Sequence, residues 1–308
     1  MKVYYRLEDF STLKNAVVTT GTFDGVHLGH QTVIKRLKEI AAKENGETVV
    51  ITFEPHPRIV IYNDASIRLI SSVPETIDLL EKQGIDHLIV APFTKEFSRT
   101  SSIDFIRNIL VGIIGTKKLV IGYNHFFGRN REGSFAHLKE YGPVYGFDVE
   151  DIPAIEIDNI DISSTKIREA IEKGEVRLAN TYLGHPFSLR GVVVEGNKMG
   201  RSIGFPTANI QVGSSYKIIP AIGVYAVNVL IDGLMFGGML NIGRRPTVQD
   251  EGNISVEVNV FDFAGDLYGK EIEVLFHSRI REERKFDHID QLKEQLQKDK
   301  MNCKQLLA

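Results

Sequence analysis

From residue 16 to residue 152 short β-rich runs alternate with amphipathic stretches of helical period, and from residue 188 onward β-rich runs follow one another almost without interruption. That change of pattern constrains the fold more than any other feature. Strand alternating with helix implies a parallel sheet with right-handed crossovers. The strands are read at Ala16 to Thr20, Val49 to Phe53, His87 to Val90, Lys118 to Gly122 and Phe147 to Ile152. Val33, Ile34, Leu37, Ile40 and Ala41 recur at helical spacing, and Gly46 supplies a stop. Pro74 to Gln83 and Ser102 to Ile114 read as further helices, and Thr165 to Lys173 begins a pair that ends at Leu183.

Beyond that point the β-rich runs are Ser188 to Val194, Gly223 to Ile231, Leu234 to Leu240, Ile254 to Phe263 and Glu271 to Phe276. Asp232-Gly233 between two of them is a hairpin signal. Short strands with frequent turns predict a small antiparallel barrel, closed by one helix at about Ile289 to Lys298. The predicted class is α/β: a parallel-sheet domain over 1–183, then a barrel domain over 184–308, with the boundary near Gly184-His185-Pro186. At 308 residues the chain exceeds what one core supports, which agrees with two domains.

Bulk properties narrow the function. No apolar run reaches the roughly 18 residues of a membrane span, and Lys2, Arg6, Glu8 and Asp9 leave the start without a signal peptide's apolar core. Cys303 is the sole cysteine, so an internal disulfide and a cysteine-built zinc site are excluded. A cytoplasmic location is expected. The net charge of −3, from 37 basic and 40 acidic residues, lacks the basic excess of a nucleic-acid binder. The sequence says nothing of oligomeric state.

The first cluster of chemistry-bearing residues is Gly21-Thr-Phe-Asp-Gly-Val-His-Leu-Gly-His30, joining the first strand to the first helix. Glycines let backbone approach a ligand, and a helix N-terminus favours anions. Gly21, Phe23, Asp24 and Gly29 are candidate phosphate-binding positions. His27 and His30, one turn apart, can point the same way and donate to phosphate oxygens; a polar loop, or a metal ligand, is the plainer use of the same pair. Ser164, Thr165 and Arg168 open a later helix, where they either cap it or hold a polyphosphate tail.

The second cluster is Gly191-Val-Val-Val-Glu-Gly-Asn-Lys-Met-Gly-Arg-Ser-Ile-Gly-Phe-Pro-Thr-Ala-Asn209. Gly196 and Gly200 permit a loop that wraps phosphate with backbone amides. Thr207 and Asn209 lie two residues apart, on one strand face, and offer neutral oxygens suited to magnesium or a similar divalent cation. Glu257 and Asn259 share a face within an alternating run; a glutamate there is either solvent-facing or a general base.

Four segments carry a resemblance: Gly21 to His30, Phe53-Glu-Pro-His-Pro57, Gly122-Tyr-Asn-His-Phe-Phe-Gly128 and Ile162 to Arg168. Together they resemble the FMN adenylyltransferase module of bacterial bifunctional riboflavin kinase/FAD synthetases, within the nucleotidylyltransferase superfamily. Gly204-Phe-Pro-Thr-Ala-Asn209, Gly223-Val-Tyr225, Val256-Glu257-Val258, Phe261-Asp-Phe263, Leu267-Tyr-Gly269 and Ile280-Arg281 through Phe286 resemble the riboflavin kinase module. The resemblance implies a Rossmann-like first domain and two ATP-dependent steps: riboflavin to FMN, then FMN to FAD with release of pyrophosphate. It implies that His27 and His30 stabilise the α/β phosphates and that Ser164, Thr165 and Arg168 hold the leaving pyrophosphate. Asn124 would contact nucleotide or flavin phosphate, or else serve as a turn residue. Phe53 and Pro57 line a flavin pocket or form a rigid strand exit. In the barrel it implies Glu257 as base on the ribityl hydroxyl, with Tyr225 and Arg281 near flavin; a surface ion pair is the other role open to Arg281. Asn259 departs from the histidine expected two residues after the glutamate. Two rival readings remain: a nucleotidylyltransferase for another acceptor with a non-catalytic flavin-binding barrel, and a flavin-binding protein without turnover.

Overall fold

Val17, Val18, Val49, Val50, Ile51, Leu88, Ile89, Leu119 and Val120 are all buried, which requires a sheet covered on both faces. The computed structural model describes residues 1–64, 66–122, 126–157, 160–196, 200, 203–244 and 254–308, and shows two compact units, Met1–Ser164 and Thr165–Ala308. In the first, β1 (Lys2–Tyr4), β2 (Ala16–Thr20), β3 (Glu47–Glu54), β4 (His87–Pro92), β5 (Thr116–Gly122) and β6 (Asp148–Ile152) form one parallel sheet in the order β1-β4-β3-β2-β5-β6. Alternate residues of each strand feed opposite layers. Val17, Val50, Leu88 and Val120 pack with α1 (Leu28–Lys43) through Val33, Ile34, Leu37, Ile40 and Ala41, the residues predicted from their spacing. Val18, Ile51, Ile89 and Leu119 face the other way. There they meet Phe105, Ile106 and Leu110 of α4, which starts at Ser102–Asp104 and continues as a wider π-helical stretch, Phe105–Ile114.

The helices α2 (Pro57–Tyr62) and α3 (Val73–Lys82) lie between β3 and β4, and α3 carries a capping box made by Ser72 and Glu75. Helix α5 (Phe135–Tyr145) precedes β6. The sequence pattern missed α5 because Gly142 and Pro143 interrupt it; Gly142 lets the helix approach the Phe147 carbonyl, which a Cβ would meet at 2.6 Å. It also missed β1, whose three residues are too few to show a period. A two-stranded ribbon, β7 (Glu156–Ile157) with β8 (Ile160–Asp161), closes this unit.

The second unit begins at Thr165, within α6 (Ser164–Glu172), and continues with α7 (Val176–Leu183). Six antiparallel strands follow: β9 (Ser188–Val194), β10 (Ala208–Val212), β11 (Gly223–Ile231), β12 (Leu234–Arg244), β13 (Ile254–Val260) and β14 (Glu271–Arg281). They close as a barrel in the order β10-β13-β12-β11-β14-β9. The β11–β12 turn is the predicted two-residue one, with Ile231 opposite Leu234 and positive φ at Asp232 (49°) and Gly233 (82°). Tyr225, Leu240, Val258 and Phe276 are fully buried, and the first three share a face across adjacent strands. The opposite face carries Ala226, Met239 and Phe261 and is covered by α8 (Ile289–Leu307) through Leu296, Cys303 and Leu307. That helix runs nine residues past its predicted end at Lys298, up to Leu307.

The compact units meet at Ser164/Thr165, so α6 and α7, which lie before the expected boundary near Gly184, group with the barrel. Asn180 of α7 donates from Nδ2 to the Phe276 carbonyl (2.8 Å) and accepts the Phe187 N–H (2.7 Å), while the Ala221 N–H reaches the Ile171 carbonyl (3.3 Å).

Candidate active sites

The sheet order reverses between β2 and β5, and the crevice beyond the carboxyl ends of two such strands is where open α/β sheets bind ligands. The Gly21–His30 segment leaves β2 at that crevice. Its backbone is strained: Phe23 (φ 49°), Gly25 (φ 79°) and Val26 (φ 39°) all lie in the left-handed region, which is costly for a β-branched valine. Asp24 holds the turn in place. Its buried Oδ1 accepts the N–H groups of Ile70 (2.8 Å) and Ser71 (3.0 Å), and the Ser71 hydroxyl accepts the Gly25 N–H (2.8 Å). This gives Asp24 a loop-anchoring role that its expected place among phosphate contacts did not include. Ile70 and Ser71 were missed, because nothing in the sequence marks a tether 46 residues away.

His27 caps α1, its Nδ1 accepting the His30 N–H at 3.4 Å. The two imidazoles stack, with centroids 3.7 Å apart and planes 19° apart, and His30 also lies against the Phe23 ring at 5.0 Å. The pair is therefore brought together on one side of the turn. Burial, and then the neighbouring His27, hold the His30 pKa well below the usual imidazole range, and its buried Nδ1 has no hydrogen-bond partner among the described residues. Gly29 serves the pair directly: a Cβ there would sit 3.1 Å from the His27 ring. At Gly21 a Cβ would meet the edge of the Phe23 ring at 3.4 Å. The Ser164 hydroxyl, at the start of α6, donates to the Asp24 carbonyl (3.2 Å) and so joins this turn. Thr165 and Arg168 follow on the same helix, within the second compact unit.

Phe53, at the end of β3, packs against Phe93 and Phe97 at 5.5 and 5.7 Å. It lines a cavity of about 30 Å³ with Thr22, Asp24, Thr52, Glu54 and His56, and burial raises the Glu54 pKa. Pro57 is the first residue of α2, after a His56 cap. Asn124 lies outside the described residues.

In the barrel, Asn209 of β10 and Asn241 of β12 are both in register with Glu257 of β13, so three polar side chains form a row across adjacent strands. Thr207, just before β10, donates from Oγ1 to Glu257 Oε2 at 3.2 Å. The sequence reading missed Asn241, whose place beside Glu257 depends on register, and Glu283, whose carboxylate lies 2.5 Å from where a Cβ on Gly243 would be. The two loop glycines are tight against their own chain. A Cβ on Gly196 would lie 2.0 Å from Asn209 Nδ2, and one on Gly200 would lie 2.3 Å from the Phe205 carbonyl. Gly196 thus makes room for the Asn209 amide, and Gly200 lets the Phe205-Pro206-Thr207 turn close.

Two barrel residues expected near flavin have partners within the protein. The Tyr225 ring is fully buried against Phe276 at 5.3 Å. Its hydroxyl donates to the Ala221 carbonyl, and burial pushes its pKa up to about 12. Arg281, for which an ion pair was the other role open, grips the buried Asp299 of α8, Nε to Oδ2 at 2.9 Å and Nη2 to Oδ2 at 2.7 Å. A cleft of about 850 Å³ in this unit, lined by Gly174 to Leu178, Ser278 to Ile280 and the last turns of α8, contains none of the expected site residues.

Residues 9–166 match the family described as FAD synthetase, and residues 183–307 match the riboflavin kinase family. A bifunctional riboflavin kinase/FMN adenylyltransferase of Listeria monocytogenes is 38% identical over 295 residues, covering 96% of this chain and 93% of the relative. The chain belongs to that bifunctional family. The relative of the same description from Haemophilus influenzae is 41% identical over 288 residues, 93% of this chain and 92% of its own. A crystal structure described as a macrolide-efflux protein from Streptococcus pneumoniae superposes with a TM-score of 0.90 at 33% identity, over 98% of both chains. No helix among the described residues here is long and apolar enough to cross a membrane.

Proposed function

We propose that this chain makes both flavin nucleotides: the barrel phosphorylates riboflavin with ATP to FMN, and the parallel-sheet unit adenylylates FMN with a second ATP to FAD, releasing pyrophosphate. The observation that carries this reading is the presence, in one chain and in order, of both matched modules. Each module has its own turn suited to a polyphosphate.

In the kinase step Glu257 takes the proton of the ribityl 5′-hydroxyl as that oxygen attacks the γ-phosphorus, and ADP leaves. Glu257 is half-buried and already holds a hydroxyl hydrogen bond from Thr207, the geometry of a carboxylate that can accept a second one. Thr207 and Asn209 supply neutral hard oxygens, a donor pair that fits magnesium or a similar cation and leaves positions for phosphate oxygens and water. Such an ion, when bound, neutralises charge on the transferring phosphoryl group.

In the adenylyl step the FMN phosphate attacks the α-phosphorus in line, with no covalent enzyme intermediate. His27 and His30 direct N–H groups at the phosphate oxygens; His30 acts as a neutral donor at pH 7, since its proton affinity is depressed before any anion arrives. Ser164, Thr165 and Arg168 hold the pyrophosphate. Phe53, Pro57 and Asn124 are retained as flavin-side positions. Both steps consume ATP, which is in keeping with a cytoplasmic location.

The test is a chromatographic separation of flavins after incubation with ATP and magnesium. His30→Ala abolishes FAD formation and leaves FMN formation intact. Glu257→Ala abolishes FMN formation, while FAD still forms when FMN is supplied. If either change stops both steps in a folded protein, the assignment of separate sites is wrong.

A further inference from the structure

We propose that Asn259 is a positioning residue for phosphoryl transfer, and that the donor on its side-chain amide holds the entry to β10 so that Thr207 stays on Glu257. The inference rests on the placement of Glu257 and Thr207 in the kinase site.

The ladder between β10 and β13 pairs Asn209 with Glu257 and Ala208 with Val258, and stops there. One more step would set Thr207 opposite Asn259. Pro206 precedes it, has no N–H to give and offers the ladder only its carbonyl as an acceptor. Asn259 provides that donor from its side chain: Nδ2 reaches the Pro206 carbonyl at 2.6 Å, and the residue is 5% exposed. Two residues earlier on the same face of β13, Glu257 accepts the Thr207 hydroxyl at 3.2 Å. Adjacent residues of the turn, Pro206 and Thr207, are thus gripped by two side chains of one strand.

The grip has a closed geometry. Asn259 is in register with Met239 of β12, which packs under α8 with Phe261 and Cys303, so its strand is fixed on the side away from β10. The turn is fixed from behind as well, where the Phe205 N–H donates to the Gly200 carbonyl at 2.8 Å. Without the Asn259 donor the carbonyl of Pro206, an exposed residue, loses its tie to the buried β13 side chain and the turn is free to move away from the strand. The turn that carries Thr207 would then be held to β13 by one side-chain contact instead of two. An aspartate at 259 would be worse than a truncation, because it keeps the shape of asparagine and turns an acceptor toward an acceptor.

That ordering separates positioning from space-filling. Asn259→Ala and Asn259→Asp are made in the full chain, and riboflavin phosphorylation is followed with Glu257→Gln in parallel; thermal melting confirms folding. The expected result is a fall in kcat of roughly tenfold or more in both Asn259 variants, with aspartate at least as impaired as alanine and the KM for riboflavin little changed. A packing role reverses the order, since aspartate preserves volume; near-normal kcat for Asn259→Asp overturns the proposal. Should the alanine variant fail to fold, the shape-preserving aspartate variant still decides the matter through its kcat. If Glu257→Gln phosphorylates riboflavin normally, the site assignment itself fails. If Glu257→Gln is inactive while Asn259→Asp is active, only the role of Asn259 falls.

Discussion

At the level of single residues, each site places a reactive side chain and lets its neighbours set its properties. His30 is the clearest case. Stacked on His27 and largely desolvated, it disfavours the imidazolium form, so the proton it carries at pH 7 is the single neutral N–H. Because the unfolded chain protonates near the ordinary value of about 6.5 and the native state lower, the unfolded state binds more protons between those two points. This group therefore lowers stability as the pH falls below that value. A histidine-resolved NMR titration is expected to show His30 titrating below free imidazole, and to move upward when inorganic pyrophosphate is added, since a nearby anion favours the charged ring. A native titration at or above the ordinary value would show that the ring is not desolvated. The same scale explains Gly29, Gly196 and Gly200: each is small because a side chain or carbonyl of its own site stands where a Cβ would go.

At the level of elements, the anchoring of α8 stands out. The Arg281–Asp299 pair joins β14 to this helix, with side chains 15% and 2% exposed, and Gln295 donates a further bond to Asp299 Oδ1 at 2.8 Å. Removing one member leaves a buried charge without a partner. Asp299→Ala is expected to cost about 3 kcal/mol in urea denaturation of the barrel unit, the lower end for breaking a buried pair. A loss near zero would mean that the helix is held by Leu296, Cys303 and Leu307 alone. Where the elements themselves were legible in the sequence, period and punctuation did the work: α1 came from five apolar residues on one face, and the β11–β12 hairpin from Asp232-Gly233. β1 was not read as a strand because its three residues give too little alternation, and β10 was read only as the strand face shared by Thr207 and Asn209, without bounds. The sites were legible as motifs but not as contacts. The spacing of His27 and His30 announces their meeting; nothing local announces Asp24 with Ser71, Asn241 with Glu257, or the burial of Tyr225. Those depend on which strands become neighbours.

At the level of the whole molecule, the division of the chain at Ser164/Thr165 makes α6 and α7 part of the barrel's packing. A fragment spanning 165–308 is expected to melt roughly 5–10 °C above one spanning 184–308, since the shorter one loses both bonds of Asn180, about 2 kcal/mol in all. Equal melting temperatures would show that the two helices add nothing to the barrel. The closure of that barrel has a last effect on chemistry. Strand side chains alternate, so a slip of β13 by one rung would turn Glu257 into the lumen and Val258 out onto the face of Asn209 and Asn241. In an open sheet an edge strand can make such an error alone; here β13 is bonded on both sides in a ring, and misalignment would have to propagate all the way round. Glu257, the base proposed above, is consequently either correctly presented or lost along with the entire barrel, which leaves no half-closed barrel able to phosphorylate riboflavin.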